Sequence, residues 1–368
     1  MKSKSTKLLG LAIGLCLLLA ISSMYISTAT ACRRRNVFVV APSGDPETDT
    51  TNIQAAFDLA SAAGSGSKVR LTAGTFQLCR PIVAVNFDGS FKGAGMDKTI
   101  ILKPEDIAIP LPNPNIGDIH RLFLFYHTPD YPMSKQKPAY LSISDMTVIV
   151  KGKTALWEWA GQTNDWLNGF DIVGKYTGVE DDTPTYLNTN FKRVRMEGET
   201  GPQFNQGGNL NMGFLIEVSF VAEPGQYAHY FNPLYGTFRM SHCHFSGTPS
   251  GLVAIGVIKD STFLVYNNHH DESNLWFMGD FHNTKTFIFG NTFTDYPTFP
   301  GIAPIIFYQG IGWSTAYPPE PSTVWIFCNT FDGFNDPMDA MDIADFPTFV
   351  LDPPVTTLEV HTFCNKGT

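Results

Sequence analysis

The chain has 368 residues, of which 34 are Asp or Glu and 25 are Lys or Arg, so its formal net charge is −9 at pH 7. This acidic balance excludes a general nucleic-acid-binding protein, and a long polyanion would need a local basic patch in order to bind. Acidic patches favour Ca²⁺ as a bound ion. The composition indicates no other cofactor.

Residues 1–31 have the pattern of a secretory signal. Three lysines within the first seven residues precede an apolar run at 8–20, and small residues come directly before Cys32. We therefore predict a secreted or cell-surface protein with no transmembrane span after processing. Two alternatives stay open: an uncleaved membrane anchor, and a lipoprotein with its lipid anchor at Cys32. Without residues 1–31 the formal charge becomes −12, from 22 basic and 34 acidic residues.

Residues 32–368 are predicted to form one domain that begins with a strand, a helix and a series of short strands. Val37–Val40 is an apolar strand, and Asp49-Thr-Thr-Asn52 supplies a helix start. Apolar residues then recur at three and four positions until Gly64 ends the helix. Strands alternate with glycine turns from residue 68 to residue 102. Such a helix would cap the open end of a solenoid of strands.

The phrases in this opening resemble those of one known fold family. They are Asp49-Thr50, Ile53-Gln54-Ala55-Ala56, Val69-Arg-Leu-Thr-Ala-Gly74-Thr75-Phe76, Lys92-Gly93-Ala94-Gly95 and Thr99-Ile100-Ile101. The chain thus resembles the pectin-lyase-like right-handed parallel β-helix proteins. The resemblance implies an all-β fold, a single-stranded right-handed parallel β-helix with an N-terminal capping α-helix. It says little about function, because one fold carries many functions.

A phrase repeated between residues 237 and 331 supports the same fold. In each copy a short run rich in apolar residues leads to Cys or Asn, and Phe or His follows two residues later; Cys243, Asn267 and Asn291 are 24 residues apart. A period of this length predicts a solenoid in which equivalent residues stack in columns. One predicted inward column contains Asn267, Asn291, Asn329 and Asn365, and a second contains Phe245, Phe293 and Phe331. His269 falls in the second column and is a candidate core residue.

The cysteines allow more than one interpretation. Cys328 and Cys364 would stack on neighbouring coils and could form a disulfide in an oxidising compartment. Cys79 could pair with Cys32 if Cys32 carries no lipid. Cys243 suits either a disulfide or a buried free thiol.

Excursions from the repeat carry aromatic residues that suit sugar binding. Trp157, Trp159 and Trp166 lie in one such excursion, and an aromatic face can stack on a sugar ring. The alternative is that these rings only bury a loop against the coil. Further excursions are predicted at residues 103–120, 222–236 and 311–323.

Titratable residues are most concentrated between residues 242 and 282. Alternation along the strands predicts that His244, His270, Asp280 and His282 point outward, with Asp271 beside them. His and Asp in one patch suit acid/base catalysis or metal binding, although a solvated polar face would have the same composition. The residues of the patch are therefore candidate catalytic groups.

Basic residues on the predicted strands are candidate substrate ligands. Arg193, Arg195 and Arg239, with Lys192, could bind or deprotonate a uronate in a β-elimination. The extended motifs of the family's lyases are missing, and its hydrolases' Gly-His-Gly is absent. We therefore predict a protein that binds or processes a polysaccharide or cell-surface glycan, with lyase and hydrolase as the candidate activities. The alternative is a non-catalytic surface or matrix protein that uses the β-helix as a rigid rod.

Overall fold

The structure is a computed structural model, and the residues from 36 onward form one compact unit. It describes residues 36–104, 121–134, 136–151, 156–159, 162–165, 168–175, 186–198, 202–204, 210–216, 219–221, 236–246, 252–271, 273–294, 303–309, 320–333, 341–345 and 358–367. The predicted signal at 1–31 and the proposed lipid site at Cys32 lie outside these ranges.

The described residues contain one helix and a long series of short strands. The helix is α1 (Pro46–Ala63). The strands are β1 (Val37–Val40), β2 (Ser67–Leu71), β3 (Gly74–Gln77), β4 (Ile82–Val85), β5 (Gly89–Lys92), β6 (Thr99–Lys103), β7 (Arg121–His127), β8 (Ala139–Val150), β9 (Leu156–Trp159), β10 (Gln162–Asp165), β11 (Asn168–Lys175), β12 (Leu187–Glu197), β13 (Pro202–Phe204), β14 (Leu210–Ile216), β15 (Ser219–Val221), β16 (Gly236–Ser241), β17 (His244–Ser246), β18 (Leu252–Lys259), β19 (Ser261–Tyr266), β20 (His269–Asp271), β21 (Leu275–His282), β22 (Lys285–Phe289), β23 (Thr292–Thr294), β24 (Ile305–Gln309), β25 (Ser322–Phe327), β26 (Thr330–Asp332), β27 (Met341–Asp345), β28 (Leu358–Phe363) and β29 (Lys366–Gly367).

These strands form a right-handed parallel β-helix, which confirms the predicted fold class. One sheet has 19 strands, and two four-stranded sheets consist of β4, β7, β11 and β13 and of β18, β21, β24 and β27. Every pairing among them is parallel, and only the hairpin of β9 and β10 is antiparallel within the described residues. No helix in the described part of the chain is long and apolar enough to cross a membrane.

The capping helix begins earlier than the sequence predicts. Asp45 is its N-cap, since its carboxylate accepts a hydrogen bond from the Thr48 amide at 2.8 Å, and Pro46 follows with a preset φ. The predicted start, Asp49, is instead fully buried, and its two carboxylate oxygens accept bonds from the amides of Ser43 and Gln77. Asp49 therefore attaches α1 to the first coil. The end of the helix before Gly64 agrees with the prediction.

Apolar side chains fill the interior along its whole length. Phe57 of α1 contacts the rings of Phe87, Phe91 and Phe125, with centroid separations of 5.0, 5.1 and 5.6 Å. Further along, the predicted column of Phe245, Phe293 and Phe331 does point inward, and all three are fully buried. These rings pack together with buried aliphatic side chains, and this apolar burial holds the coils together.

An asparagine ladder runs inside the later coils, and its first member lies one residue after the predicted one. The Nδ2 groups of Asn268, Asn291 and Asn329 each donate to the Oδ1 of the next Asn at 3.0, 3.0 and 3.1 Å, ending at Asn365. Each accepting Oδ1 also binds the backbone amide of the preceding Asn. Asn291, Asn329 and Asn365 are thus confirmed, but Asn267 is exposed and Asn268 takes its place.

A left-handed residue precedes the inward position at the same turn of successive coils. These residues, which we call the turn ridge, are Asp145, Arg193, His242, Asn267, Gly290, Cys328 and Cys364, with φ between 50° and 66°. Asn267 has this conformation, which explains why it cannot also be the ladder residue. At Gly290 a Cβ would approach Asn267 Oδ1 to 2.6 Å, so only glycine fits there without a shift of that amide.

The cysteines Cys79, Cys243, Cys328 and Cys364 are free thiols in the structure. Cys328 and Cys364 are exposed at equivalent places on adjacent coils of the turn ridge, because β25 and β28 pair up to Phe327 and Phe363. Their disulfide stays a prediction. Cys243 is buried, as its free-thiol interpretation requires.

Candidate functional site

The outer face of the largest sheet carries the candidate site. The strands β2, β5, β8, β12, β14, β16, β19, β22, β25 and β28 pair one after another in parallel, and we call their outward side the main outer face. Along each strand, buried core residues alternate with residues on this face, as in Lys68-Val-Arg-Leu71. The first and second halves of the face differ in chemistry.

Basic side chains line the first half. Arg70 is in register with Lys92, and Lys92 is in register with Ser144 and then with Lys192 on the following strands. A parallel column two residues earlier starts at Lys68 and continues through Ser90, Ser142 and Asn190. Together with Arg193 on the turn ridge, these lysines and arginines form the basic strip: Lys68, Arg70, Lys92, Lys192 and Arg193. Serine and asparagine side chains lie between the charges.

A single carboxylate is held within the basic strip. Asp145 Oδ1 is 2.5 Å from Arg193 Nε, and its Oδ2 is 3.3 Å from Lys92 Nζ and accepts a bond from the Ser144 hydroxyl at 2.9 Å. Burial alone would raise the pKa of Asp145, but the hydrogen bonds from Arg193, Ser144 and Lys92 outweigh it and the pKa is lowered. Asp145 is therefore ionised at neutral pH. One carboxylate between two cations leaves the strip positive.

Two of the other predicted basic ligands have partners of their own. Arg195 Nε lies 2.7 Å from Glu197 Oε1 on the same strand, so its charge is locally compensated. Arg239, on β16, lies 5.0 Å from the centroid of the Tyr266 ring on the next coil, which is a cation–π contact. Arg239 continues the positive charge of the face into its second half.

A pair of stacked histidines lies beyond the turn ridge. The rings of His244 on β17 and His269 on β20 are 5.0 Å apart and nearly parallel, at 7°. Burial and the neighbouring His269 lower the pKa of His244, and Asp271 opposes the shift. His244 is therefore neutral at pH 7 and able to accept a proton. Asp271 accepts a hydrogen bond from the Thr294 hydroxyl at 2.8 Å.

The remaining predicted catalytic histidines are not on an open surface. His270 points inward and is fully buried, with its ring between those of Phe245 and Phe293 at 4.8 and 4.6 Å. The prediction that His270 is an outward catalytic group is therefore wrong. His269, the candidate core residue, is the outward one instead.

His282 is also buried, with 3% of its surface exposed, which contradicts its predicted outward position. The side chain of Asp280 lies outside the described residues, although its strand, β21, is seen. The candidate cluster is therefore reduced to His244 and Asp271, with His269 added. Among the described residues no group of three His, Cys, Asp or Glu is placed to hold a metal ion. Calcium binding stays a prediction.

The tryptophan excursion is a hairpin. Trp157 and Trp159 lie on β9, which pairs with β10 in antiparallel register. Their side chains, and Trp166 entirely, lie outside the described residues. Sugar stacking by these rings stays a prediction.

Aromatic ladders cover the second half of the main outer face. Tyr266, Phe289, Phe327 and Phe363 stack with centroids 5.0, 5.0 and 4.8 Å apart, and no interplanar angle exceeds 6°. Beside them Phe287, Trp325 and His361 stack at 4.5 and 5.7 Å. Because each ring lies flat against the next along the axis, the ring edges point to solvent. Faces needed for stacking on sugars are occupied by neighbouring rings.

Sequence reasoning missed both the basic strip and these ladders. Arg70 and Lys92 are separated by a coil of 22 residues, whereas the next two steps contain 52 and 48 residues because of insertions. The alignment is visible only once the strands are paired. The ladder residues were within the repeated phrases, and their outward direction was hidden by the equally aromatic interior.

No protein-family model matches the sequence, and no curated protein matches it. Among solved structures, ORF18 of Geobacillus virus E2 is 13% identical with a TM-score of 0.39, over 90% of this chain and 62% of that chain. The chain therefore spans less than two thirds of that protein.

Two further solved structures are A-modules of mannuronan C-5 epimerases from Azotobacter vinelandii. The AlgE6 module is 15% identical with a TM-score of 0.40, over 86% of this chain and 95% of that chain. The AlgE4 module is 16% identical with a TM-score of 0.40, over 87% and 93%. At this level of similarity the function of this chain is argued from its own residues.

Proposed function

We propose that this protein binds an acidic polysaccharide, extended along the basic strip of its main outer face. The observation that carries the proposal is one column in which Arg70, Lys92 and Lys192 lie on three of four adjacent strands, with Ser144 between the two lysines, in a protein with a net charge of −9. A local cluster of cations attracts a polyanion, whereas the acidic remainder of the protein surface repels it. The polyanion is therefore directed to the cluster.

The spacing of the strip suits a polymer. Neighbouring strands of a sheet lie about 4.8 Å apart, which is close to the length of one sugar unit in an extended chain. A polymer with a carboxylate on each unit can therefore present charges to successive coils. Arg70 and Arg193 provide planar donors that match a carboxylate, and Lys92 and Lys192 act as point charges.

Neutral polar groups of the strip suit the rest of a sugar. Ser90, Ser142 and Asn190 follow one another in a column beside the cations, and each can exchange hydrogen bonds with hydroxyl groups. Tyr140, which is 42% exposed, has its hydroxyl 3.4 Å from Asn190 Nδ2 at the edge of this column. A protein that bound only small anions would need none of these groups.

A second candidate function, processing of the bound polymer, is favoured by the stacked histidines. His244 can accept a proton, because its ring is exposed and its lowered pKa keeps it neutral at pH 7. A lyase or hydrolase activity would place a sugar against His244 and Asp271. Unsaturated products or new reducing ends from a uronate polymer, lost in His244→Ala, would reveal it. Absence of both products leaves binding as the function.

Export is part of the same proposal. The basic start, apolar run and small residues of 1–31 would direct the protein out of the cytoplasm, to where polysaccharides are found. A lipid on Cys32 would hold it at a membrane surface, and cleavage without lipid would release it. Mass analysis of the mature N-terminus distinguishes these two outcomes from an uncleaved anchor.

Affinity electrophoresis through gels containing alginate, polygalacturonate or neutral dextran tests the binding proposal. We expect retardation by the two uronate polymers only, and a decrease with rising salt, because the charges are exposed and screened. The double variant Lys92→Gln/Lys192→Gln should bind about tenfold more weakly or worse, from loss of two charge-assisted contacts. The matched control is Lys366→Gln, an exposed lysine on β29. Equal retardation by dextran, or an unaffected double variant, contradicts the proposal.

A further inference from the structure

The aromatic half of the main outer face has the chemistry of an interface between proteins. Phe287, Phe289, Trp325 and Phe327 are partly exposed, and Phe363 is 50% exposed. Aromatic side chains are enriched at protein interfaces, and contiguous exposed apolar patches mark sites of association. The ring faces already contact neighbouring rings, and only the ring edges point to solvent. The surface formed by these edges is better suited to pack against another sheet than to stack on a sugar ring.

Two charges frame this surface symmetrically. Lys285 on β22 is in register with Thr323 on β25, and Thr323 is in register with Glu359 on β28. Lys285 is exposed and forms no ion pair within the described residues. The Glu359 carboxylate lies 3.1 Å from His361 Nε2, and its side chain is 67% exposed. A carboxylate has two oxygens, so Glu359 can contact His361 and a lysine together.

We propose that the occupant of this face is a second copy of the same chain. The two-fold axis would lie parallel to β25, between two opposed sheets, so that the order of the coils is reversed in the partner. Each strand on one side of β25 then faces the partner strand that lies equally far on the opposite side of β25. Trp325 would lie opposite its own equivalent, and Lys285 would lie opposite the partner's Glu359, with the reciprocal pair on the other side.

Alternative symmetry is disfavoured by the same charges. A two-fold axis along the β-helix axis would retain the order of the coils but exchange the two edges of the face. Lys285 would then lie against the partner's Phe289, and Glu359 against the partner's Phe363. Burial of Lys285 against a ring without a counter-ion would be unfavourable. The arrangement around β25 is the one in which burial of the rings also pairs the charges.

Sedimentation velocity of the full chain and its charge variants tests this proposal. The wild-type protein should be dimeric, and K285E and E359K should each weaken the dimer at least about tenfold, because each places like charges together. An equimolar mixture of K285E and E359K should restore a dimer, since both contacts of the mixed pair then join unlike charges. The double variant K285E/E359K should restore a homodimer for the same reason.

The control is Lys366→Glu, an equal change of charge on β29, outside the aromatic half. It should leave the dimer unaffected. A wild-type protein that stays monomeric at all concentrations overturns the proposal. So does a dimer that K285E and E359K leave unchanged, or one that the mixture fails to restore. Unchanged circular dichroism of each variant separates loss of association from loss of fold. None of these outcomes depends on the polysaccharide proposal, whose residues lie on other coils.

Discussion

The two halves of the main outer face share one backbone and differ in almost everything else. In the first half Arg70, Lys92 and Lys192 occupy the column that Tyr266 and Phe289 occupy in the second. On both sides the strands pair in parallel, and buried residues alternate with outward ones. In a β-helix the interior is therefore constrained everywhere by burial, while the exterior of each coil is free to acquire its own chemistry.

The same division appears in how the turns are held. In the first half the inward residues after the ridge are apolar, Met146 and Val194, and an external ion pair joins Asp145 to Arg193. In the second half an internal ladder of amides passes from Asn268 onward, and its first acceptor group binds the Cys243 amide. One turn geometry is thus stabilised from outside in one half and from inside in the other.

The largest expected effect concerns the internal ladder. Asn291→Ala removes a side chain that donates to Asn329 Oδ1 and to the Val265 carbonyl and accepts from Asn268. Each buried group left unpaired costs about 1–3 kcal/mol, so the free energy of unfolding should fall by roughly 3 kcal/mol or more. Denaturant titration measures the loss.

The matched control for this experiment is Asn267→Gly. Asn267 is the adjacent asparagine, but it is exposed and left-handed, so glycine should cost at most about a few tenths of a kcal/mol. An equal decrease in the free energy of unfolding of the two variants would contradict the register of the ladder described above.

The second expected effect is a dependence of stability on pH, caused by the buried His270. Burial, with smaller contributions from His269 and His244, lowers the pKa of His270 to about 3, so the unfolded chain protonates first as pH falls. Protonation of the unfolded chain lowers the free energy of unfolding. This loss is absent above about pH 6.5, grows toward pH 3 and is on the order of 3 kcal/mol at pH 4.

Replacement of His270 by phenylalanine should remove this part of the acid destabilisation. Phe245 and Phe293 already flank the position with parallel rings, so the new ring continues their column. Thermal unfolding at pH 7.5 and at pH 4.5 should show a smaller difference for His270→Phe than for the wild-type protein. An unchanged difference would mean that His270 accepts its proton while folded.

The smallest effect belongs to the external ion pair. Arg193 is 40% exposed, and Lys92 still contacts Asp145 when Arg193 is replaced. Arg193→Gln should therefore lower the free energy of unfolding by less than about 1 kcal/mol, and high salt should reduce the difference further. Urea titrations at low and high salt measure it, with exposed Lys98→Gln as the control. A loss as large as that of Asn291→Ala would remove the distinction between the two halves.

The fold was predictable because its signals are local. Alternation in Lys68-Val-Arg-Leu71 and the apolar spacing of the helix each follow from burial of one face. The site was predictable only in part. His244, Asp271 and Arg193 are on the surface as predicted, but the column that joins Arg193 to its neighbours depends on which coils are adjacent.

Two features explain the errors at Asn267 and His270. The structure pairs Phe263 with Thr286 and Leu264 with Phe287, so the two phenylalanines of the repeated Thr-Phe phrase point in opposite directions. Where both faces of a strand are aromatic, alternation no longer distinguishes inside from outside. Coils of 25 and 23 residues, from Cys243 to Asn268 and on to Asn291, have the same mean as two of 24. The register therefore shifted unnoticed, and His270 was assigned outward.

The asparagine ladder has a direction but no fixed length. Asn291 and Asn329 each donate to the asparagine after them and accept from the one before, so an added coil with asparagine at this position would find a partner on both sides. Coil number can therefore change by duplication or deletion without redesign of the flanking coils. The length of the β-helix can therefore change in evolution independently of the side chains on the outer face of each coil.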